Sequence, residues 1–204
     1  FQKKIKMRIS FSIVIFLLIQ LQSWTQKNTD FSRFSLGVRS TYSAFSDDGR
    51  GLGTGGQFRL RFSDRVNSDW FGDYIMINQN DQIKSEYLHI GWSVLFYPWE
   101  KQFGRFQPYI LAGHCFDYNK KTPIGFPQQS ADRWGSAIQS GCGTHFNLSP
   151  QMDVSLTAQY MIHLTKELIS EQTPTGLLIV QAPGNAFEGH LLCTLSFNYR
   201  FKKR

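Results

Sequence analysis

Charge is scarce in this 204-residue chain, with Asp, Glu, Lys and Arg together making up 18% of it. That is too little for a coiled coil or a solvated, disordered tail. Cysteine is scarce too. The three present, Cys115, Cys142 and Cys193, leave one over in any disulfide framework. They are expected to stay thiols that pack as small apolar groups. No apolar run reaches the roughly 18 residues that a spanning helix requires, and the mean hydropathy is −0.30. A bundle of membrane helices is thereby excluded. A membrane barrel is not, because its strands alternate polar and apolar side chains. Aromatics, by contrast, are plentiful: 18 Phe, 8 Tyr and 5 Trp, or 15% of the chain. The length suits one domain of ordinary size.

The net charge of +7 does not predict nucleic-acid binding. Lys3, Lys4, Lys6 and Arg8 supply four of those charges, and no acid lies within residues 1–25. Much of the remaining excess is the terminal group Arg200, Lys202, Lys203 and Arg204. No basic face is left to follow a phosphate backbone. The first 25 residues instead read as a helical secretory signal peptide. A basic segment precedes an apolar core from Ile9 to Leu21, and Ser23-Trp24-Thr25 places small residues before Gln26. The mature domain is expected over residues 26–204.

That domain reads as a run of strands, because apolar residues recur at period two. Phe34, Leu36, Val38, Tyr42 and Ala44 alternate with Ser35, Gly37, Arg39, Thr41 and Ser43. Phe58 and Leu60, Trp70 and Tyr74, and Leu88 to Phe96 continue the pattern. So do Trp134–Leu148, Val154 to Leu164, and Leu191 to Phe201. Phe106–Tyr118 is apolar on both faces, which leaves its parity open. The glycine-rich segment Asp47–Gly56 lacks the helix that a phosphate-cradling loop must open, and reads as a loop feeding the second strand. Eight strands are counted. Short connections (Ser63–Ser68, Trp99–Arg105, Ser149–Gln151) alternate with longer ones (Ser46–Thr54, Gln79–Ser85, Asn119–Asp132, Thr165–Ala186). Short turns at one end and long loops at the other are an outer-membrane barrel's arrangement.

Which face points inward separates two classes. A soluble ligand carrier turns its apolar face in, and a membrane barrel turns it out. Here aromatics on the apolar face gather near strand ends, as interfacial girdles do. The other face carries small residues with Arg39, Arg59, Arg61, Gln139, Gln159, Glu188, Asn198 and Arg200. Such a set suits a narrow lumen filled by side chains. The fold expected is therefore all-β, an eight-stranded antiparallel up-and-down transmembrane β-barrel.

At this point the chain resembles the small OmpA/OmpX-type outer-membrane barrels. Gln107-Pro108-Tyr109-Ile110-Leu111-Ala112-Gly113 is similar to their Pro-Tyr-x-x-Ala-Gly strand. The glycine-rich stretch Gly141 to Pro150, followed by Asp153 to Tyr160, resembles their strand, tight turn and strand. Phe197, Tyr199 and Phe201 resemble the C-terminal aromatic signal read by the barrel-assembly machinery, although Lys202-Lys203-Arg204 follows them here. The resemblance implies a Gram-negative outer membrane and contact with its lipid.

Five histidines, at 89, 114, 145, 163 and 190, fall in predicted strands. His89, His163 and His190 are expected on the polar face near the outer rim, with Glu188 beside His190. Such a group can serve acid–base catalysis or hold a metal, or simply be hydrogen-bonded in the lumen. His-x-His and His-Glu-x-x-His spacings are absent, as are the His-x-Ser of lipid A deacylases and a Gly-x-Ser-x-Gly elbow. No catalytic residue, metal or cofactor is therefore assigned. Arg39, Arg59, Arg61, Asp117, Asp153, His163, Glu188, His190 and Arg200 are expected to form a lumen polar cluster, because buried charges demand partners. The role expected is non-catalytic, structural or interactive, with a place in a larger envelope assembly. Asn119 to Asp132 and Thr165 to Ala186 would meet a protein partner. Leu177-Leu178-Ile179-Val180 in the second loop needs a partner or a fold-back to cover it. A lipid-modifying enzyme, a narrow pore and a soluble carrier are the competing readings.

Overall fold

In the computed structural model, residues 31–45, 49–79, 82–99, 105–166, 168–173, 176–182 and 189–202 are described. The segment expected to be a signal peptide, Glu188 and the last two residues lie outside them. The barrel staves are β1 (Phe31–Phe45), β2 (Gly49–Arg61), β3 (Val66–Gln79), β4 (Ile83–Phe96), β5 (Phe106–Pro123), β6 (Ala131–Asn147), β7 (Met152–His163) and β10 (Gly189–Lys202). They close in the order β1-β10-β7-β6-β5-β4-β3-β2. Every contact is antiparallel, and β1 meets β10 through pairs from Ser35↔Arg200 to Phe45↔His190. Two further strands, β8 (Leu168–Thr173) and β9 (Gly176–Gln181), pair with each other in a separate two-stranded sheet.

The wall is turned inside out relative to a soluble protein. Val38 is 67% exposed, Leu52 69% and Trp134 61%, while Arg39, Arg59, Asp117 and Asn119 are buried. Period-two alternation sends one set outward and the other into the lumen. The soluble-carrier reading falls on this point. At the end with the short turns, outward aromatics form a continuous band. Phe58 stacks on Trp70 (centroids 5.9 Å, 3° apart), Trp70 meets Trp92, and Phe34 joins Phe58 to Phe201. Tyr118 against Trp134, at 5.1 Å, belongs to the band at the other end. Serine closes two of the short turns. Ser63 Oγ accepts from the amides of Arg65 and Val66, and Ser149 Oγ from those of Gln151 and Met152.

Three sequence expectations change. The glycine-rich segment is strand for most of its length. Gly51, Gly53 and Gly55 face the lumen in β2, where an added Cβ would run into Ile77, Ile75 and Asp73 on β3. Their lack of side chain makes room for those neighbours, which a single-strand pattern does not show. The loop placed at Asn119 to Asp132 shrinks to 124–130, because β5 and β6 stay paired as far as Lys121↔Ala131. The Thr165 to Ala186 loop contains the β8–β9 hairpin, which folds back over the barrel. Ile179 and Leu168 pack with Ile83 and are buried. The apolar run thus finds its cover within the chain at Ile179, although Leu178 remains 41% exposed. The parity of β5 is also settled, with Tyr109, Leu111, Cys115 and Asp117 inward and Ile110 and Phe116 outward. All three cysteines are free thiols.

Candidate functional site: the packed lumen

Nearest the short turns, the lumen is closed by a hydrogen-bonded charge network. Arg59 on β2 faces its register partner Asp69 on β3. Its Nε and Nη2 donate to Oδ1 and Oδ2 at 2.6 and 3.0 Å. Its Nη1 crosses to Asp153 on β7 at 3.4 Å. Asn198 Nδ2 donates to the same Asp153 oxygen at 2.9 Å, and Gln57 Nε2 to Asn198 Oδ1 at 2.6 Å. His145 completes this layer, with Nδ1 2.6 Å from Ser155 Oγ and Nε2 2.8 Å from the Tyr97 hydroxyl. Leu95, Tyr97, Tyr109 and Leu111 fill the space beside it.

In the middle, Arg39 Nε lies 3.0 Å from Asp73 Oδ1, and its guanidinium sits 4.4 Å over the Phe71 ring. Thr41 donates to the other Asp73 oxygen at 3.3 Å. Gln159 donates to Gln139, which donates to Ser93. A cavity of about 20 Å³ at this level, lined by Arg39, Gln57, Phe71 and Gln159, is about the size of one water. Phe71, Ile75, Ile77, Tyr87, Cys115, Met161 and Leu192 form an apolar layer across the lumen, with the Cys115 thiol 3.7 Å from the Met161 sulfur.

Towards the long connections, three histidines meet. His163 Nδ1 lies 2.9 Å from Asp117 Oδ2, and His163 Nε2 lies 3.0 Å from His190 Nδ1. The His89 ring stands 5.8 Å from His190 and 6.2 Å from His163. Arg133 approaches Asp117 at 3.5 Å and donates to Thr165 Oγ1. Gly135, level with Asp117 on β6, leaves room for this knot, since a Cβ there would meet Thr165, Asp117 and Arg133. Neither ring nitrogen of His89 has a hydrogen-bond partner among the described residues, nor does either amide atom of Asn119. Among the described residues, no group of three or more His, Cys, Asp or Glu is placed to hold a metal ion.

Of the residues singled out by sequence, Arg39, Arg59, Asp117, Asp153, His163 and His190 are buried in the lumen. They lie in three successive layers rather than one cluster. The histidines lie inside the lumen rather than at an open rim. Arg61 and Arg200 are half-buried at the short-turn end, where Arg200 Nη1 donates to the Pro150 carbonyl at 3.4 Å. Glu188 lies outside the described residues. Phe197, Tyr199 and Phe201 point outward. Sequence reasoning missed Asp69, Asp73 and Arg133. The parity Asp69, Phe71, Asp73, Ile75, Ile77 carries both carboxylates, but the apolar residues between them mask it as an inward face.

No family model matches the chain, and no curated protein matches it. Solved structures do. Neisserial surface protein A superposes with a TM-score of 0.56 at 15% identity, covering 84% of this chain and 98% of that one. A major outer membrane protein from Thermus thermophilus superposes at 0.55 and 10% identity, covering 83% and 100%. The fold is that of the small outer-membrane β-barrels. With its apolar side chains outward and its backbone hydrogen bonds closed in a ring, such a barrel meets bilayer lipid directly and resides in the outer membrane.

Proposed function

We propose that the protein is a closed outer-membrane scaffold, its lumen neither conducting nor catalytic. Its structural or interactive role is carried by the end bearing the long connections. The observation behind this reading is the packed lumen. Arg59–Asp69–Asp153, Arg39–Asp73 and His163–Asp117 span it at three levels, with apolar layers between them. Eight strands leave an interior that side chains fill. A second support is the β8–β9 hairpin, fixed over the barrel by Ile83, Leu168 and Ile179 as a preformed surface for a protein partner. The outward aromatics Phe197, Tyr199 and Phe201 of the closing strand suit a signal for assembly machinery. Residues 1–25 would direct export and be removed.

Planar-bilayer recording of the refolded protein tests the closed lumen, with no stable conductance steps expected. Large, long-lived steps would return the narrow-pore reading. Affinity capture from detergent-solubilised envelope tests the interactive role. A partner lost on deletion of the β8–β9 hairpin supports it, and capture unchanged by that deletion opposes the hairpin as the contact.

A further inference from the structure

Four of the five histidines are buried in the lumen. His114 alone is turned the other way. It stands on β5 in register with Trp92 and Ile138, both exposed on the outer wall. Ser136 on β6 is in register with the outward Phe116. The two polar side chains meet on this wall, His114 Nε2 lying 2.6 Å from Ser136 Oγ. The imidazole stands edge-on to the Phe116 ring, at 5.0 Å and 82°, which fixes its plane. A hydrogen-bonded pair in this position is costly, since lipid offers apolar side chains a better home than hydroxyl and imidazole.

We propose that Ser136 and His114 are a nucleophile and its general base on the lipid-facing wall, acting on acyl esters of lipids in the outer leaflet. Depth supports the substrate class. Trp134, two residues nearer the long connections on β6, packs against Tyr118 in the interfacial band. On β4, Lys84 and Glu86 pair at 3.0 Å beyond that level. With a rise of about 3.3 Å per residue and a tilt of about 40°, Ser136 lies about 5 Å below the Trp134 level. There the headgroup region gives way to acyl chains, and there the ester linkages lie.

The chemistry needs only water besides the lipid. Unprotonated His114 Nε2 takes the Ser136 hydroxyl proton as Oγ bonds to the ester carbonyl carbon. The tetrahedral intermediate collapses, the bond from carbonyl carbon to alcohol oxygen breaks, and His114 returns the proton to the departing alcohol. Water then adds to the acyl-serine, giving its proton to His114. The Oγ–acyl bond breaks, Ser136 regains the proton and a fatty acid leaves. This inference rests on the bilayer placement of the wall and not on the closed lumen, so conductance and acyl chemistry can fail separately.

The test uses the full chain refolded in detergent micelles, treated with a serine-reactive fluorophosphonate and assayed with a medium-chain p-nitrophenyl ester. Folding is followed by the gel shift between unheated and heated samples. Labelling at Ser136, located by peptide mass spectrometry, is expected, together with ester hydrolysis abolished by Ser136→Ala. His114→Gln should slow labelling at least about a hundredfold. Ser140→Ala, on the same outer face of β6 and away from the pair, should leave both unchanged. Absence of labelling in the folded wild-type protein overturns the proposal, and so does hydrolysis that survives in a folded Ser136→Ala variant. If Ser136→Ala does not fold, the wild-type labelling result and His114→Gln decide it alone.

Discussion

Arg39 on β1 reaches Asp73 on β3 directly across Gly55, which lies in register between them on β2, and the pair closes at 3.0 Å. A side chain on Gly55 would collide with Asp73 and the Gly72 carbonyl. The neighbouring Gly56 points to lipid, and a Cβ there meets nothing nearer than the Gly37 carbonyl at 3.8 Å. Adjacent glycines thus do opposite jobs.

Gly55→Ala is accordingly expected to cost about 2 kcal/mol or more through overpacking and a displaced ion pair. Gly56→Ala should stay within about 0.5 kcal/mol of wild type. Urea titrations of the two variants in the same micelle, followed by tryptophan fluorescence, compare them directly.

Arg59 is held by Asp69 through two parallel bonds and by Asp153 through a third. Asp69→Ala strips away the bidentate partner and leaves a buried guanidinium, a loss of about 3–5 kcal/mol. Replacing Arg59 as well, as Arg59→Met with Asp69→Leu, should recover only part of it, because Asp153 is then a buried carboxylate without its cation, held by hydrogen bonds from Asn198 and Ser155. A double-mutant cycle from urea midpoints reads the difference.

Ile179 joins the β8–β9 hairpin to Ile83 and Leu168. Ile179→Asp should release the hairpin while the staves stay closed. Limited trypsin digestion is the measurement, with faster cutting at Lys166 expected and an unchanged gel shift of the core.

Much of the barrel was legible in the residues, and what was hidden has a common cause. In β1, β4, β7 and β10 each strand's own alternation carries its two faces, as with Leu88, Ile90 and Trp92 against His89 and Ser93. In β2, β3 and β5 the information lies across strands. Gly51 and Gly53 are inward because Ile77 and Ile75 fill the space above them. Tyr109 and Leu111 are inward because the lumen has apolar layers of its own. The same blindness hid Asp69 and Asp73, whose partners Arg59 and Arg39 were visible. His114 and Ser136, 22 residues apart, show no motif spacing, because antiparallel register alone brings them together.

The account stands on lipid outside the wall and packed side chains within it. Nitroxide labels placed singly at positions 36–43 of β1, in a chain whose three cysteines are replaced by alanine, test this most directly through collision with oxygen and with a water-soluble nickel chelate. Labels at Leu36, Val38, Ser40 and Tyr42 should collide readily with oxygen and little with nickel. Those at Arg39, Thr41 and Ser43 should be shielded from both. Nickel reaching Arg39, Thr41 and Ser43 would reveal a water-filled bore, and nickel reaching Val38 and Tyr42 a wall in water; either contradicts the account.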